Sequence, residues 1–134
     1  MKIFIDTNII ISAILKPESI PSQAFIKAVS YPNQAFICQQ NIDELVRIFR
    51  KKFPAKLLAL EQFLNSATPK LQIIPTSEVK VIGEKDIRDV NDRPILRSAL
   101  SISADVLLTG DKDFLESKIR NPKILNAKDF VESF

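Results

Sequence analysis

Histidine is absent from the 134-residue sequence. Without it there can be no Ser-His-Asp or Cys-His triad and no His-ligated zinc site, so any chemistry must rest on carboxylates. Cysteine occurs once, as Cys38. A single thiol in an apolar run permits no internal disulfide and fits a small core residue in the reducing cytoplasm. Long hydrophobic runs are missing too: none approaches the roughly 20 residues of a membrane span. Met1 leads directly into a strand pattern containing Asp6, which is not the pattern of a signal peptide. Glycine occurs only twice, and we find no repeat, low-complexity tract or linker. With 46% hydrophobic and 26% charged residues, the chain reads as one globular domain over residues 1–134. Charge of one sign is also scarce, since 19 Lys and Arg face 16 Asp and Glu; the net charge of +3 is a weak pointer to a polyanionic partner.

What is present begins with Met1-Lys2-Ile3-Phe4-Ile5-Asp6-Thr7-Asn8-Ile9-Ile10-Ile11, an apolar run that stops at a carboxylate and resumes as a helix. Helices are expected over 9–15, from Pro21 through Val29, over 41–52, over 54–67 with Leu57, Leu58, Leu60 and Leu64 on the core side, over 93–103, over 113–118 and over 127–134. Strands are expected at Ala35–Cys38, Leu71–Ile74, Val106–Thr109 and Ile124–Leu125, with Val79–Ile82 as an edge strand in the least patterned stretch. Short apolar strands alternating with helices predict a three-layer α/β/α fold around a parallel sheet of four to five strands.

In such a sheet, ligands bind outside the carboxyl ends of the strands. Asp6 falls there, after the first strand, and Asp111 falls there after Val106–Thr109 and Gly110. Asp92 precedes Ile95, Leu96 and Ala99 at spacings of three, four and seven, so it extends the buried stripe of its helix toward the same end. Each has a competing reading as a helix N-cap or turn residue, roles in which Asp is common. Glu44 lies in the first turn of its helix but off the stripe of Ile42, Leu45 and Phe49, to which Asp43 lies nearer; the helical wheel does not select it. Carboxylates gathered at one end of a sheet repel unless a cation sits among them. Oxygen-only ligands select a hard ion, Mg²⁺ or Mn²⁺, suited to phosphodiester hydrolysis.

The chain resembles the PIN-domain nucleases, in particular the VapC-like ribonuclease toxins. The resemblance is carried by Ile5-Asp6-Thr7-Asn8, Asp43-Glu44-Leu45, Asp89-Val90-Asn91-Asp92-Arg93-Pro94-Ile95-Leu96 with Ala99, and Ala104-Asp105 leading to Leu108-Thr109-Gly110-Asp111-Lys112-Asp113-Phe114, in the family's order. It implies that Asp6, Glu44, Asp92 and Asp111 are the acidic site residues, that Asp113 is an accessory carboxylate, and that Asn8 and Thr109 are polar helpers near the metal. Glu44 is therefore chosen by resemblance. Where the family often has Asp-Pro-Asp-Asp this chain has Asp89-Val90-Asn91-Asp92, with one carboxylate fewer beside Asp92. The implied activity is that of a Mg²⁺- or Mn²⁺-dependent endoribonuclease, the toxin of a toxin–antitoxin pair. Its expected partners are RNA, an antitoxin protein and a second copy in a homodimer, with no membrane.

One basic segment stands apart. Arg47, Arg50, Lys51, Lys52 and Lys56 follow one another with no acid between them. They fit a solvated helix end beside the negative pole of the dipole and equally a phosphate-contacting rim for RNA or an acidic partner peptide. A receiver-type phosphoacceptor domain is a rival reading, as is a PIN-like binding module without turnover. A receiver calls for paired acids after the first strand and a Lys after the last, where this chain has Asp6 alone and Asn126.

Overall fold

The computed structural model describes residues 1–133. Its elements in chain order are β1 (Lys2–Ile5), α1 (Thr7–Leu15), α2 (Ile20–Val29), β2 (Gln34–Cys38), α3 (Gln39–Lys52), α4 (Leu57–Ala67), β3 (Leu71–Ile74), α5 (Arg93–Ser101), β4 (Val106–Leu108), α6 (Lys112–Leu115), β5 (Lys123–Leu125) and α7 (Ala127–Ser133). Single 3₁₀ turns occur at Pro54–Lys56, Glu84–Asp86 and Val90–Asp92. Phe134, the last residue of the predicted terminal helix, lies outside the described residues.

All five strands are parallel, in the order β3-β2-β1-β4-β5. Side chains alternate across the sheet as strand geometry requires. Ile3 and Ile5 of β1, Ala35 and Ile37 of β2, and Val106 and Leu108 of β4 face a layer containing Ile9, Ile10 and Ala13 of α1, Ala24, Phe25 and Ala28 of α2, Leu45 and Phe49 of α3, Leu60 of α4 and Phe130 of α7. Phe4, Phe36, Cys38 and Leu107 face the opposite layer, which holds Ile95, Leu96 and Ala99 of α5, Phe114 of α6, and Ile87 from the loop before α5. Both faces of the central strands are thus covered, which is why those strands read as unbroken apolar runs. The fold is the three-layer α/β/α arrangement predicted. A receiver-type sheet would run 2-1-3-4-5; here β1 lies between β2 and β4.

That order places the functional end. The chain winds outward from β1 to β2 and β3 on one side, and from β4 to β5 on the other, so the winding reverses between β1 and β4. Crevices open at such switch points, outside the carboxyl ends of the strands. Asp6 leaves β1 there, its N–H donating to Leu108 O at 2.9 Å, and Thr109 leaves β4 beside it.

Two expectations are corrected. Val79–Ile82 is no strand: the sheet ends at β3 and β5, and Val79 and Ile82 are exposed. Two backbone donors of this segment are taken by side chains instead, the Val81 N–H by Glu84 Oε1 at 2.7 Å and the Val79 N–H by Ser77 Oγ at 3.3 Å. Leu57 and Leu58 are likewise exposed, leaving Leu60 and Ala67 as the buried residues of α4. The 3₁₀ turn Pro54–Lys56 turns further per residue than an α-helix and so rephases the segment predicted as one continuous helix.

Candidate metal centre

Asp6 is buried and divides its carboxylate between two tasks. Oδ1 caps α1 by accepting the Thr7 N–H at 2.8 Å, while Oδ2 accepts the Thr109 hydroxyl at 2.7 Å and lies 3.5 Å from Asn8 Nδ2. The cap and site readings of Asp6 therefore describe two oxygens of one group. Burial pushes its pKa up from 3.8 to about 6, with the charges of Glu44 and Asp111 adding to the rise and the hydrogen bonds from Thr109 and Thr7 opposing it.

Thr109, fully buried, joins β1 to β4 chemically: it donates to Asp6 and accepts the Asp111 N–H at 3.0 Å. Asn8 makes a second tie, its Oδ1 accepting the Gly110 N–H at 3.0 Å. Asp111 caps α6 by accepting the Asp113 N–H at 2.9 Å. Asp92 enters from the opposite side, at the junction of the Val90–Asp92 turn with α5. Its side chain makes no capping bond, which removes the cap reading for this residue. Burial, then its hydrogen bond to and repulsion from Asp111, then the charges of Asp6 and Asp89, push its pKa up to about 7. Carboxylate oxygens of Asp92, Asp111 and Asp113 all lie within 4.8 Å of one another. Asp113 also pairs with Arg88 at 2.8 Å.

Glu44 is half-buried and within electrostatic reach of Asp6, whereas Asp43 is exposed. The helical wheel pointed the other way because it began the stripe at Ile42. The buried residues of α3 are Asn41, Leu45 and Phe49, and including Asn41 rotates the inner face toward Glu44. A buried polar residue four positions before Leu45 was the signal available. Asn41 accepts from the Cys38 N–H at 2.8 Å and donates to Thr7 Oγ1 at 2.9 Å, tying α3 to the start of α1. Gln40 donates to Glu44 Oε1 at 3.0 Å and to Asn91 O at 2.8 Å, linking Glu44 to the turn that carries Asp92. Sequence reasoning singled out neither Gln40 nor Arg88; for Gln40 the i, i+4 spacing to Glu44 was a visible hint, and for Arg88 there was none.

The donor set fits a hard divalent cation. It consists of oxygens alone, and two of its carboxyls, Asp6 and Asp92, are held above their ordinary range by burial and by the neighbouring carboxylates. A groove of about 410 Å³ beside it is lined by Gln40, Glu44, Arg47, Asn91 and Pro94. Arg47 also lines an adjoining depression with Arg50 and Lys51; Lys52 is exposed and lines neither.

Comparisons with known proteins agree with this architecture. No curated protein matches at a significant level. Among solved structures the chain is similar to one in the crystal structure of VapBC2 from Rickettsia felis bound to a DNA fragment from their promoter. The two share 24% identity over 94% of this chain and 98% of that one, with a TM-score of 0.70. That is a likeness of fold. The family described as PIN domain matches residues 2–113, from β1 into α6 and across every carboxylate described above. The chain belongs to the PIN domain family.

Proposed function

We propose that the chain is a Mg²⁺- or Mn²⁺-dependent endoribonuclease that hydrolyses single-stranded RNA, and that it is the VapC-like toxin of a toxin–antitoxin pair. The observation that carries this reading is the convergence of Asp6, Asp92, Asp111 and Asp113 at the switch point of the sheet, with three of their oxygens inside 4.8 Å. Asp92, Asp111 and Asp113 would hold the cation together with Asp6. When bound, the cation supplies charge neutralisation at the scissile phosphate and activation of a water. The chain's own residues do the rest. Thr109 keeps Asp6 ionised and aimed by donating to it, Asn8 fixes the Gly110 backbone ahead of Asp111, and Gln40 holds Glu44 where it orients the attacking water and takes its proton. Arg47, Arg50 and Lys51, with Lys52 at the rim, contact RNA phosphates along the adjoining depressions.

RNA as substrate agrees with action in the cytoplasm. No helix among the described residues is long and apolar enough to cross a membrane. The fold shared with a chain of the VapBC2 complex supports an antitoxin partner for this chain also, and we propose a homodimer besides.

Incubation of the protein with labelled single-stranded RNA and with duplex DNA, with and without Mn²⁺, tests the reading. RNA should be cut only with the metal and duplex DNA spared, because bases must splay to bring a phosphate onto so short a crevice. Equal cleavage of both, or RNA cleavage in chelator, would overturn it. Production of the protein alone and together with the product of the gene immediately upstream tests the toxin assignment: growth should stop in the first case and recover in the second.

A further inference from the structure

The loop from β3 to α5 and the first turns of α5 enclose a cavity of about 670 Å³. None of the carboxylates of the metal centre lines it. Lys80, Ile82, Lys85, Val90, Arg93 and Arg97 do. Its floor is fixed by hydrogen bonds: Arg97 Nε donates to Glu84 Oε1 at 3.0 Å and its Nη2 contacts Glu84 Oε2, while Arg93 Nε donates to Ile87 O at 3.0 Å. Gly83, at a φ of +85°, provides the turn that brings Lys80 and Lys85 to its edge. Glu84, the acid of the lining, is already committed to Arg97 and to the Val81 N–H. Lys80, Lys85 and Arg93 form no ion pair among the described residues, so the cavity is net positive. Its lip is apolar, with Ile82 fully exposed and Val90 61% exposed.

The cavity also adjoins a groove beside the site. Val90 lines both it and the groove containing Glu44 and Asn91, and Arg47 lines both that groove and the depression of Arg50 and Lys51. Three hollows thus run in series, with Glu44 and the turn carrying Asp92 between the outer two. Cations for phosphate, an apolar lip and a guanidinium plane held by its Nε are the chemistry that receives a splayed nucleobase of a single strand. No aromatic ring among the described residues lines the cavity, so the stacking surface falls to Arg93.

We propose that this cavity is a nucleobase subsite for a nucleotide flanking the cleaved phosphate, the base lying between the Arg93 guanidinium and the Ile82–Val90 lip and its phosphate on Lys80 and Lys85. The inference rests on the reading of the chain as a single-strand ribonuclease.

Steady-state cleavage in Mn²⁺ of an RNA oligonucleotide carrying one abasic nucleotide at successive positions tests it, using the full chain, Ile82→Asp, and Lys80→Gln with Lys85→Gln. In wild type, one abasic position should raise KM about tenfold with kcat little changed. Ile82→Asp should raise KM for intact RNA by a similar factor and erase the effect of that abasic position. The lysine variant should raise KM for intact and abasic RNA alike and lower the salt dependence by about 0.7 in slope for each phosphate no longer neutralised. All three side chains are exposed, so the variants should fold. Should Ile82→Asp fail to fold, an unchanged KM in the lysine variant overturns the subsite. Wild type that cuts RNA with no sensitive position, or an Ile82→Asp variant with wild-type KM and sensitivity, overturns the subsite alone and returns the apolar lip to a protein partner. Wild type that cuts no RNA overturns the ribonuclease reading itself, and the subsite with it.

Discussion

Asp6 holds a helix with one oxygen and faces other acids with the second, and the two tasks respond differently to substitution. Asp6→Asn keeps a competent cap, because Asn caps as well as Asp, and removes the repulsion from Glu44 and Asp111 that contributes to its raised pKa. In chelator the variant should therefore melt at or above the wild-type temperature. In Mn²⁺ the order should reverse, since a cation that binds only the folded state stabilises it by about 2.7 kcal/mol at one hundred times its Kd. Thermal melts of both proteins in both conditions check this; a wild type indifferent to Mn²⁺ and Mg²⁺ would defeat the metal centre. Thr109 permits a second test. Its one hydroxyl donates to Asp6 and accepts from the Asp111 N–H. Thr109→Val preserves its volume and orphans both partners, so Mn²⁺ affinity followed by calorimetric titration should fall by about ten- to a hundredfold. Thr109→Ser should retain most of it.

At the scale of elements, α3 carries both a site residue and a basic track. If Arg47, Arg50 and Lys51 bind phosphates, replacing all three by Gln should lower the salt dependence of single-stranded RNA binding by about 0.7 in slope for each phosphate released. Binding isotherms over a range of salt measure it, and an unchanged slope would return the segment to a solvated helix end. What was legible in the sequence divides at the same scale. Strand ends were readable, because the end of an apolar run marks them whatever packs around it; the position of Asp6 and Asp111 at one end of the sheet was legible that way, and that of Asp92 from the phase of a long buried stripe. Helix phase was less so. The inner face of α3 is set by Asn41, whose burial depends on hydrogen bonds to Thr7 and Cys38 that no periodicity reveals. The phase of α4 is reset by a single 3₁₀ turn. Val79–Ile82 looks like a strand locally, and the side chains of Ser77 and Glu84, which take the Val79 and Val81 N–H groups, accompany a different course.

For the whole molecule, the raised carboxyls predict an unusual response to acid. A carboxyl whose folded pKa exceeds its unfolded one contributes stability that is complete below the unfolded value and is lost as pH rises through the folded value. Asp6, at about 6, and Asp92, at about 7, both have this sign. Metal-free protein should thus become less stable as pH rises from about 5 to about 7.5. Glu84, held well below its ordinary value by Arg97, has the opposite sign but titrates far below this window. With Mn²⁺ the trend should invert, since ligands must lose their protons to bind. Melting temperatures at the two pH values, in chelator and in Mn²⁺, give all four points; a metal-free protein more stable at the higher pH would contradict the assignment.

The bond from Thr109 to Asp6 spans 103 residues, and β1 pairs with β4 across a similar interval. During synthesis, Asp6 leaves the ribosome 103 residues ahead of Thr109. Non-local pairings of this kind form slowly, after the intervening chain has been ordered. On the proposed function, a nascent chain halted anywhere before Thr109 lacks Asp111 and Asp113, and fragments left by stalled or truncated translation should cut no RNA.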